Sequence, residues 1–134
     1  MDKIINVLVV EDERPLLEAI KEKLERNNFK VFTARSVDEA LARLEEAGIV
    51  DVIWLDHYLL GKASGLDFVG KCKEKNSKYS HVPIFVVSNT ASDDKVQAYL
   101  KLGVTKYYVK AEKRLDEMIV DIRETLAKEG LLKT

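Results

Sequence analysis

The sequence is poor in the residues that disulfide, redox and zinc chemistry require. Its 134 residues include one cysteine, Cys72, and two histidines, His57 and His81. A single cysteine cannot form a disulfide within the chain, and neither histidine has a cysteine or a second histidine at zinc-ligand spacing. These absences exclude a disulfide-stapled fold and a zinc site, and they fit a reducing compartment such as the cytoplasm. We interpret Cys72 as a small apolar residue on a helix face and both histidines as surface loop residues.

The sequence also lacks an excess of charge of either sign and any long apolar run. Its 22 basic and 23 acidic residues give a formal net charge of -1 at pH 7, so no overall field favours nucleic acid or an anionic membrane. The first residues lack the apolar segment of a signal peptide, and no apolar run approaches the roughly 20 residues of a membrane-spanning helix. No glycine-rich loop of the nucleotide-binding type follows the first apolar segment. We therefore expect a cytoplasmic protein that binds neither nucleic acid nor a membrane.

What the sequence does contain is a series of short apolar segments that alternate with segments of helical period. This alternation is typical of βαβ units around a parallel sheet, and a hydrophobic content of 46% is enough for one packed core. We predict strands over residues 4–10, 30–33, 51–55, 82–88 and 106–109. Helices are predicted to begin near residues 15, 36, 65, 92 and 115. The chain is expected to form a single domain over residues 1–134, with a core of about 3–129 and a short C-terminal tail.

The composition of the strands predicts their order in the sheet. The first, third and fourth strands are continuously apolar, which is typical of strands covered on both faces, whereas the second and fifth are more mixed and suit the edges. Right-handed crossovers then predict the order 2-1-3-4-5, a doubly wound, flavodoxin-like α/β fold. Ligands of such sheets bind at the carboxyl ends of the strands, where the chain changes direction between strands 1 and 3.

Polar residues follow four of these strands at that edge. Glu11 and Asp12 follow strand 1, Asp56 follows strand 3, Ser88 ends strand 4 and Lys110 follows strand 5. Three neighbouring carboxylates raise one another's pKa unless a cation neutralises them, and Mg²⁺ prefers such oxygen ligands while leaving room for a phosphate. A carboxylate beside Mg²⁺, a lysine and a hydroxyl can attack a phosphoryl group and form an acyl phosphate. The strand ends therefore predict a Mg²⁺-dependent phosphoacceptor.

The same segments carry a resemblance to a known family. The matching pieces are VLVVEDE with Glu11 and Asp12, VIWLD with Asp56, FVVS with Ser88, and KYYVK with Tyr107 and Lys110. Their order and spacing are similar to those of the receiver domain of two-component response regulators, of the chemotaxis-receiver type, over nearly the full length of the chain.

The resemblance implies how the acceptor site works. Asp56 would accept a phosphoryl group from a sensor histidine kinase or a histidine phosphotransfer protein. Mg²⁺ would be held by Asp12, Asp56 and the backbone carbonyl of Tyr58, with Glu11 acting mostly through water. Lys110 would pair with a phosphoryl oxygen. The domain would thus catalyse only its own phosphotransfer and dephosphorylation, and would not be an enzyme acting on a separate substrate.

The resemblance also implies a switch. The Ser88 hydroxyl would move toward the phosphate, and Tyr107 would turn inward into the space that Ser88 leaves. The face formed by helix 4, strand 5 and helix 5 would then bind a downstream protein or a second copy of the chain. An alternative for Tyr107 is an edge-strand aromatic, with Tyr108 as the core residue. Ala111 stands where the family usually has a proline, so we expect a trans peptide after Lys110.

Two other functions remain open. One is a pseudo-receiver that binds partners without phosphate. The other is an aspartate-nucleophile phosphatase, a class that usually has a second aspartate two positions after the nucleophile. Tyr58 occupies that position here, which argues against a phosphatase.

Overall fold

The computed structural model describes residues 4–57, 64–89 and 92–130. Five strands and five helices alternate along these residues. They are β1 (Ile5–Val10), α1 (Arg14–Glu25), β2 (Phe29–Ala34), α2 (Val37–Ala47), β3 (Val52–Asp56), α3 (Gly65–Cys72), β4 (Ile84–Ser88), α4 (Asp93–Leu102), β5 (Lys106–Val109) and α5 (Leu115–Lys128). No helix among the described residues is both long and apolar enough to cross a membrane.

The five strands form one parallel sheet in the order β2-β1-β3-β4-β5, which confirms the predicted topology. β1, β3 and β4 are the central strands, and their residues are almost all buried. The mixed strands β2 and β5 lie at the edges, as predicted. Because the strands are parallel, their carboxyl ends all meet at one edge of the sheet.

Helices cover both faces of the sheet and complete two apolar cores. α1 and α5 pack on one face, where Trp54 is the largest buried side chain. α2, α3 and α4 pack on the other face, where Tyr99 is the largest. Full burial of each apolar side chain contributes roughly 1.5–3 kcal/mol, so the two cores hold the strand ends in fixed relative positions. Cys72 is buried in the second core, as predicted from its place on a helix face.

The helix termini follow the sequence signals closely. The Ser36 side chain accepts a hydrogen bond from the backbone N–H of Glu39 at 3.2 Å and caps α2, which agrees with the predicted start near residue 36. Ser92 caps α4 in the same way through the N–H of Lys95. Gly103 ends α4 with a φ of +98°, in the left-handed region that favours glycine.

The boundaries of four strands differ from the predicted ones, and β1 differs only in that it begins at Ile5 instead of residue 4. β2 is longer than predicted, from Phe29 to Ala34, because it pairs with β1 along its whole length. β4 begins at Ile84, after Pro83, which has no N–H to donate to the sheet. β3 includes Asp56, which pairs in register with Val87. No described residue follows a cis peptide bond, so the bond between Lys110 and Ala111 is trans, as predicted.

Candidate functional site

Three acidic residues converge at the carboxyl edge of the sheet. Glu11 and Asp12 directly follow β1, and Asp56 is the last residue of the neighbouring β3. One carboxylate oxygen from each of the three lies within 4.8 Å of the others. Glu11 and Asp56 are buried, with 1% and 4% of their surface exposed, whereas Asp12 is half-buried. The sheet therefore brings together three acids that the sequence placed at separate strand ends.

A lysine that follows the edge strand β5 completes the cluster. Lys110 follows β5, and its ammonium group donates a hydrogen bond to Glu11 Oε1 at 3.2 Å. The same nitrogen lies 3.7 Å from Oδ1 of Asp56. Its backbone N–H donates to the carbonyl of Ser88 at 2.8 Å, which fixes the start of the β5–α5 connection against the end of β4. Ser88 is fully buried at that strand end.

Burial changes the protonation of this cluster. Burial, together with a hydrogen bond to Asp56 and the negative charge of Asp56, raises the pKa of Glu11 to about 8, against the opposing effects of the Glu13 N–H and Lys110. Glu11 therefore keeps its proton at neutral pH, because the Glu13 N–H and Lys110 do not offset its burial and the adjacent Asp56. A group of oxygen ligands with an excess of negative charge fits a hard divalent cation such as Mg²⁺. Glu11, Asp12 and Asp56 are the described residues that could hold it.

Arg35 supports the acidic cluster by binding the backbone carbonyl of Asp12. It directly follows β2, and its guanidinium group donates two hydrogen bonds to the carbonyl oxygen of Asp12, from Nε at 3.0 Å and from Nη2 at 2.7 Å. The N–H of Glu11 donates to the carbonyl of Ala34 at 3.0 Å. These contacts hold the turn that carries both acids. The role of Arg35 was not predicted from the sequence, because no short motif links an arginine after β2 to a turn 23 residues earlier.

His57 connects the end of β3 to α4. Its Nδ1 and the hydroxyl group of Tyr99 share a hydrogen bond of 2.6 Å, and the two rings meet edge to face. Burial lowers the pKa of His57, with the charge of Lys95 acting in the same direction and that of Asp56 opposing it. His57 lies in a bend after β3, as the predicted loop position requires, but it is half-buried against a core tyrosine instead of being fully exposed. His81 is exposed, as predicted.

The two tyrosines of β5 face opposite sides of the sheet. Tyr108 is buried on the α1 and α5 side, where its hydroxyl donates a hydrogen bond to Asp121. Tyr107 is half-buried on the other side, with its ring centroid 5.8 Å from that of Tyr99. Tyr108 is thus the core residue that strand alternation predicted. Tyr58, the remaining predicted Mg²⁺ ligand, lies outside the described residues.

Comparisons with known proteins find similar domains over most of the chain. A family model described as the response regulator receiver domain matches residues 7–123. The chain is 32% identical over 104 residues to the phosphate regulon transcriptional regulatory protein PhoB of Escherichia coli, a match that covers 78% of this chain and 44% of PhoB. It therefore spans less than half the length of that relative.

Two further proteins are similar over most of their own length. The two-component response regulator ORR8 of Oryza sativa is 29% identical over 111 residues, covering 83% of this chain and 90% of ORR8. The crystal structure of a response regulator receiver domain protein from Clostridium thermocellum superposes with a TM-score of 0.81 at 25% identity, covering 95% of this chain and 98% of that one.

Proposed function

The chain belongs to the response regulator receiver family, and from this premise we propose that Asp56 accepts a phosphoryl group from a histidine kinase or a histidine phosphotransfer protein. The observation that carries the proposal is the convergence of Glu11, Asp12, Asp56 and Lys110 at the carboxyl edge of the sheet. A structural role alone does not explain three acids with two of them buried, because such a cluster costs stability unless a ligand offsets the charge.

The chemistry follows from the position of each group. A carboxylate oxygen of Asp56 forms a bond to phosphorus while the bond from phosphorus to the donor nitrogen or oxygen breaks, and the donor leaves with the electron pair. Lys110, 3.7 Å from Asp56, supplies positive charge on the β5 side of the acceptor. Mg²⁺ bound by Glu11, Asp12 and Asp56 would supply the positive charge that lets these carboxylates and the phosphoryl oxygens come together.

The switch is the second part of the proposal. Ser88 lies at the end of β4, beside the strand that carries the acceptor, and Tyr107 lies on the neighbouring β5. A phosphoryl group on Asp56 would engage the Ser88 hydroxyl and favour an inward position of Tyr107. The change would be a population shift of the face formed by α4, β5 and α5, which would bind a downstream protein or a second copy of the chain.

Intact-mass measurement tests the acceptor. Wild-type protein incubated with Mg²⁺ and a small acyl phosphate or phosphoramidate should gain the mass of one phosphoryl group. Asp56→Asn should gain none, and chelation of Mg²⁺ should abolish the gain in the wild type. An unmodified wild-type mass would support a phosphate-independent pseudo-receiver, and sustained release of phosphate from p-nitrophenyl phosphate would support a phosphatase.

A further inference from the structure

Tyr99 occupies an unusual position for a polar side chain. It lies in the second half of α4, and none of its surface is exposed. Its hydroxyl group forms the 2.6 Å hydrogen bond to Nδ1 of His57, the residue that directly follows Asp56. The rings lie almost perpendicular, at 83°, with their centroids 5.6 Å apart. The middle of a helix on the proposed partner-binding face is therefore hydrogen-bonded to the residue next to the acceptor.

The start of α3 packs against the same hydroxyl group. A Cβ atom on Gly65 would lie 2.4 Å from the hydroxyl oxygen of Tyr99, which is closer than real contacts allow. It would also lie 3.2 Å from the carbonyl oxygen of Asp56 and 3.3 Å from Cα of His57. The Gly65 N–H donates a hydrogen bond to the carbonyl of His57 at 3.2 Å, which holds the start of α3 close to the end of β3. A glycine is required at this position because a larger residue would have no room there.

The Tyr99 ring also reaches β5. Its centroid is 5.8 Å from that of Tyr107, and the two rings are tilted by 48°. One side chain thus contacts the residue after the acceptor through its hydroxyl group and the proposed switch tyrosine through its ring. A phenylalanine would fill the same apolar space, so packing alone does not account for the hydroxyl group.

We propose that Tyr99 is a positioning residue that couples the end of β3 to α4 and Tyr107. A displacement of the chain after Asp56 moves His57, and the hydrogen bond passes that displacement to the middle of α4. This route acts beside the proposed movement of Ser88, and it rests on the proposed function, since Asp56 phosphorylation supplies the displacement. Loss of one hydrogen bond of ordinary net strength shifts a two-state equilibrium by roughly two- to tenfold, which sets the size of the expected effect.

Tyr99→Phe tests the coupling, because it removes the hydroxyl group and keeps the ring. Two quantities are measured with and without phosphodonor: the intact mass, and the hydrogen exchange of residues 93–102. We expect the wild-type gain of phosphate together with a phosphorylation-induced change in α4 exchange that is reduced by roughly two- to tenfold. Tyr108→Phe is the matched control, since that buried hydroxyl belongs to the opposite face of the sheet, and it should leave the α4 response unchanged.

A double-mutant cycle separates coupling from packing. His57→Phe keeps a ring at position 57 without the hydrogen-bonding nitrogen, so it should reduce the α4 response as Tyr99→Phe does. The double variant should be no more impaired than either single variant, because all three lack the same hydrogen bond. Additive losses would show two independent packing defects and would overturn the proposal.

The outcomes also distinguish this inference from the proposed function. If the wild type gains no phosphate, the proposed function fails and the coupling fails with it. If the wild type is phosphorylated with an α4 response and Tyr99→Phe shows the full response as well, only the Tyr99 coupling is wrong. If α4 does not respond in the phosphorylated wild type, the coupling and the switch part of the proposed function are both wrong, and the acceptor part stands.

Discussion

The ammonium group of Lys110 lies 3.2 Å from Oε1 of Glu11, although the two residues are 99 positions apart in the chain. The contact bridges β1 and β5, which are separated in the sheet by β3 and β4. Glu11 has 1% of its side chain exposed and Lys110 has 23%, so solvent reaches this contact only from the lysine side. Among the residues that the structure describes, Lys110 is the cation in contact with both the buried acid and Asp56.

Removal of this cation should slow phosphorylation far more than it affects folding. We expect Lys110→Met to lower the rate of phosphoryl gain by roughly 100-fold, the scale for loss of one preorganised charge at a reacting centre. The fold should remain, because Glu11 can stay buried in its neutral form. Time-resolved intact mass at a saturating concentration of acyl phosphate measures the rate.

Lys113→Met is the matched control for that experiment. Its ammonium lies 3.9 Å from Asp121, away from the acidic cluster, so its loss should leave the rate near the wild-type value. Equal rates for wild type and Lys110→Met would remove Lys110 from the chemistry.

The raised pKa of Glu11 predicts the pH dependence of stability. Without Mg²⁺, the folded protein keeps the Glu11 proton up to about pH 8, whereas the unfolded chain releases it near the ordinary value of 4.5. Between these values the folded state binds the extra proton, so the free energy of unfolding falls as the pH rises and this contribution is lost above about pH 8. Urea unfolding in chelator across this window should show the decline, and Glu11→Gln should flatten it.

Addition of Mg²⁺ should oppose this decline. Divalent cations bind the deprotonated carboxylate, so the apparent affinity for Mg²⁺ should increase across the same pH window. Stabilisation by saturating Mg²⁺ should consequently be larger at the upper end of that window than at its middle, and Glu11→Gln should reduce that difference. A Mg²⁺ affinity that is independent of pH would contradict the buried, protonated Glu11.

Two glycines should respond to alanine with opposite signs. Gly103 ends α4 at a φ of +98°, and an alanine there is strained although its nearest neighbours, in Lys73, are 4.0 Å away. We expect Gly103→Ala to lower the free energy of unfolding by about 1–2 kcal/mol. Gly70 lies inside α3, and a Cβ atom there would meet no atom within 4 Å, so Gly70→Ala should raise stability by about 0.5–1 kcal/mol. Urea unfolding in the presence of Mg²⁺ measures both.

The topology could be predicted because it depends on patterns that one strand or helix carries by itself. The apolar runs of β1, β3 and β4 identified the central strands, and the helix starts predicted near residues 36 and 92 lie at the Ser36 and Ser92 caps. The exact ends of β2 and β4 could not be read in this way. They depend on pairing with a neighbouring strand, and the extra residues of β2 pair with β1.

The charged residues at the strand ends could be predicted for a similar reason, because parallel strands bring their carboxyl ends to one edge. The residues that hold these charged residues in place could not be predicted from the sequence. His57, beside Asp56, carries no pattern that indicates a hydrogen bond to Tyr99, which is 42 positions away. Tyr99 itself fits the apolar face of α4, and its hydroxyl group gives no sign of its partner. The contact of Arg35 with Asp12 could not be predicted either, since an arginine after an edge strand is ordinarily a solvated residue.

Arg35 should nevertheless control metal binding. Its two hydrogen bonds hold the carbonyl of Asp12, so Arg35→Ala frees the turn that presents a proposed ligand. We expect the dissociation constant for Mg²⁺ to rise roughly tenfold, the lower end of the range for loss of a group that orients a ligand. Trp54 is the only tryptophan of the chain and lies two residues before Asp56, so its fluorescence can follow the titration.

Arg43→Ala is the matched control, because Arg43 donates to the carbonyl of Thr33, one residue before the end of β2, and pairs with Glu46. If both variants bind Mg²⁺ as the wild type does, the Arg35 contacts shape the turn without setting the affinity of the site.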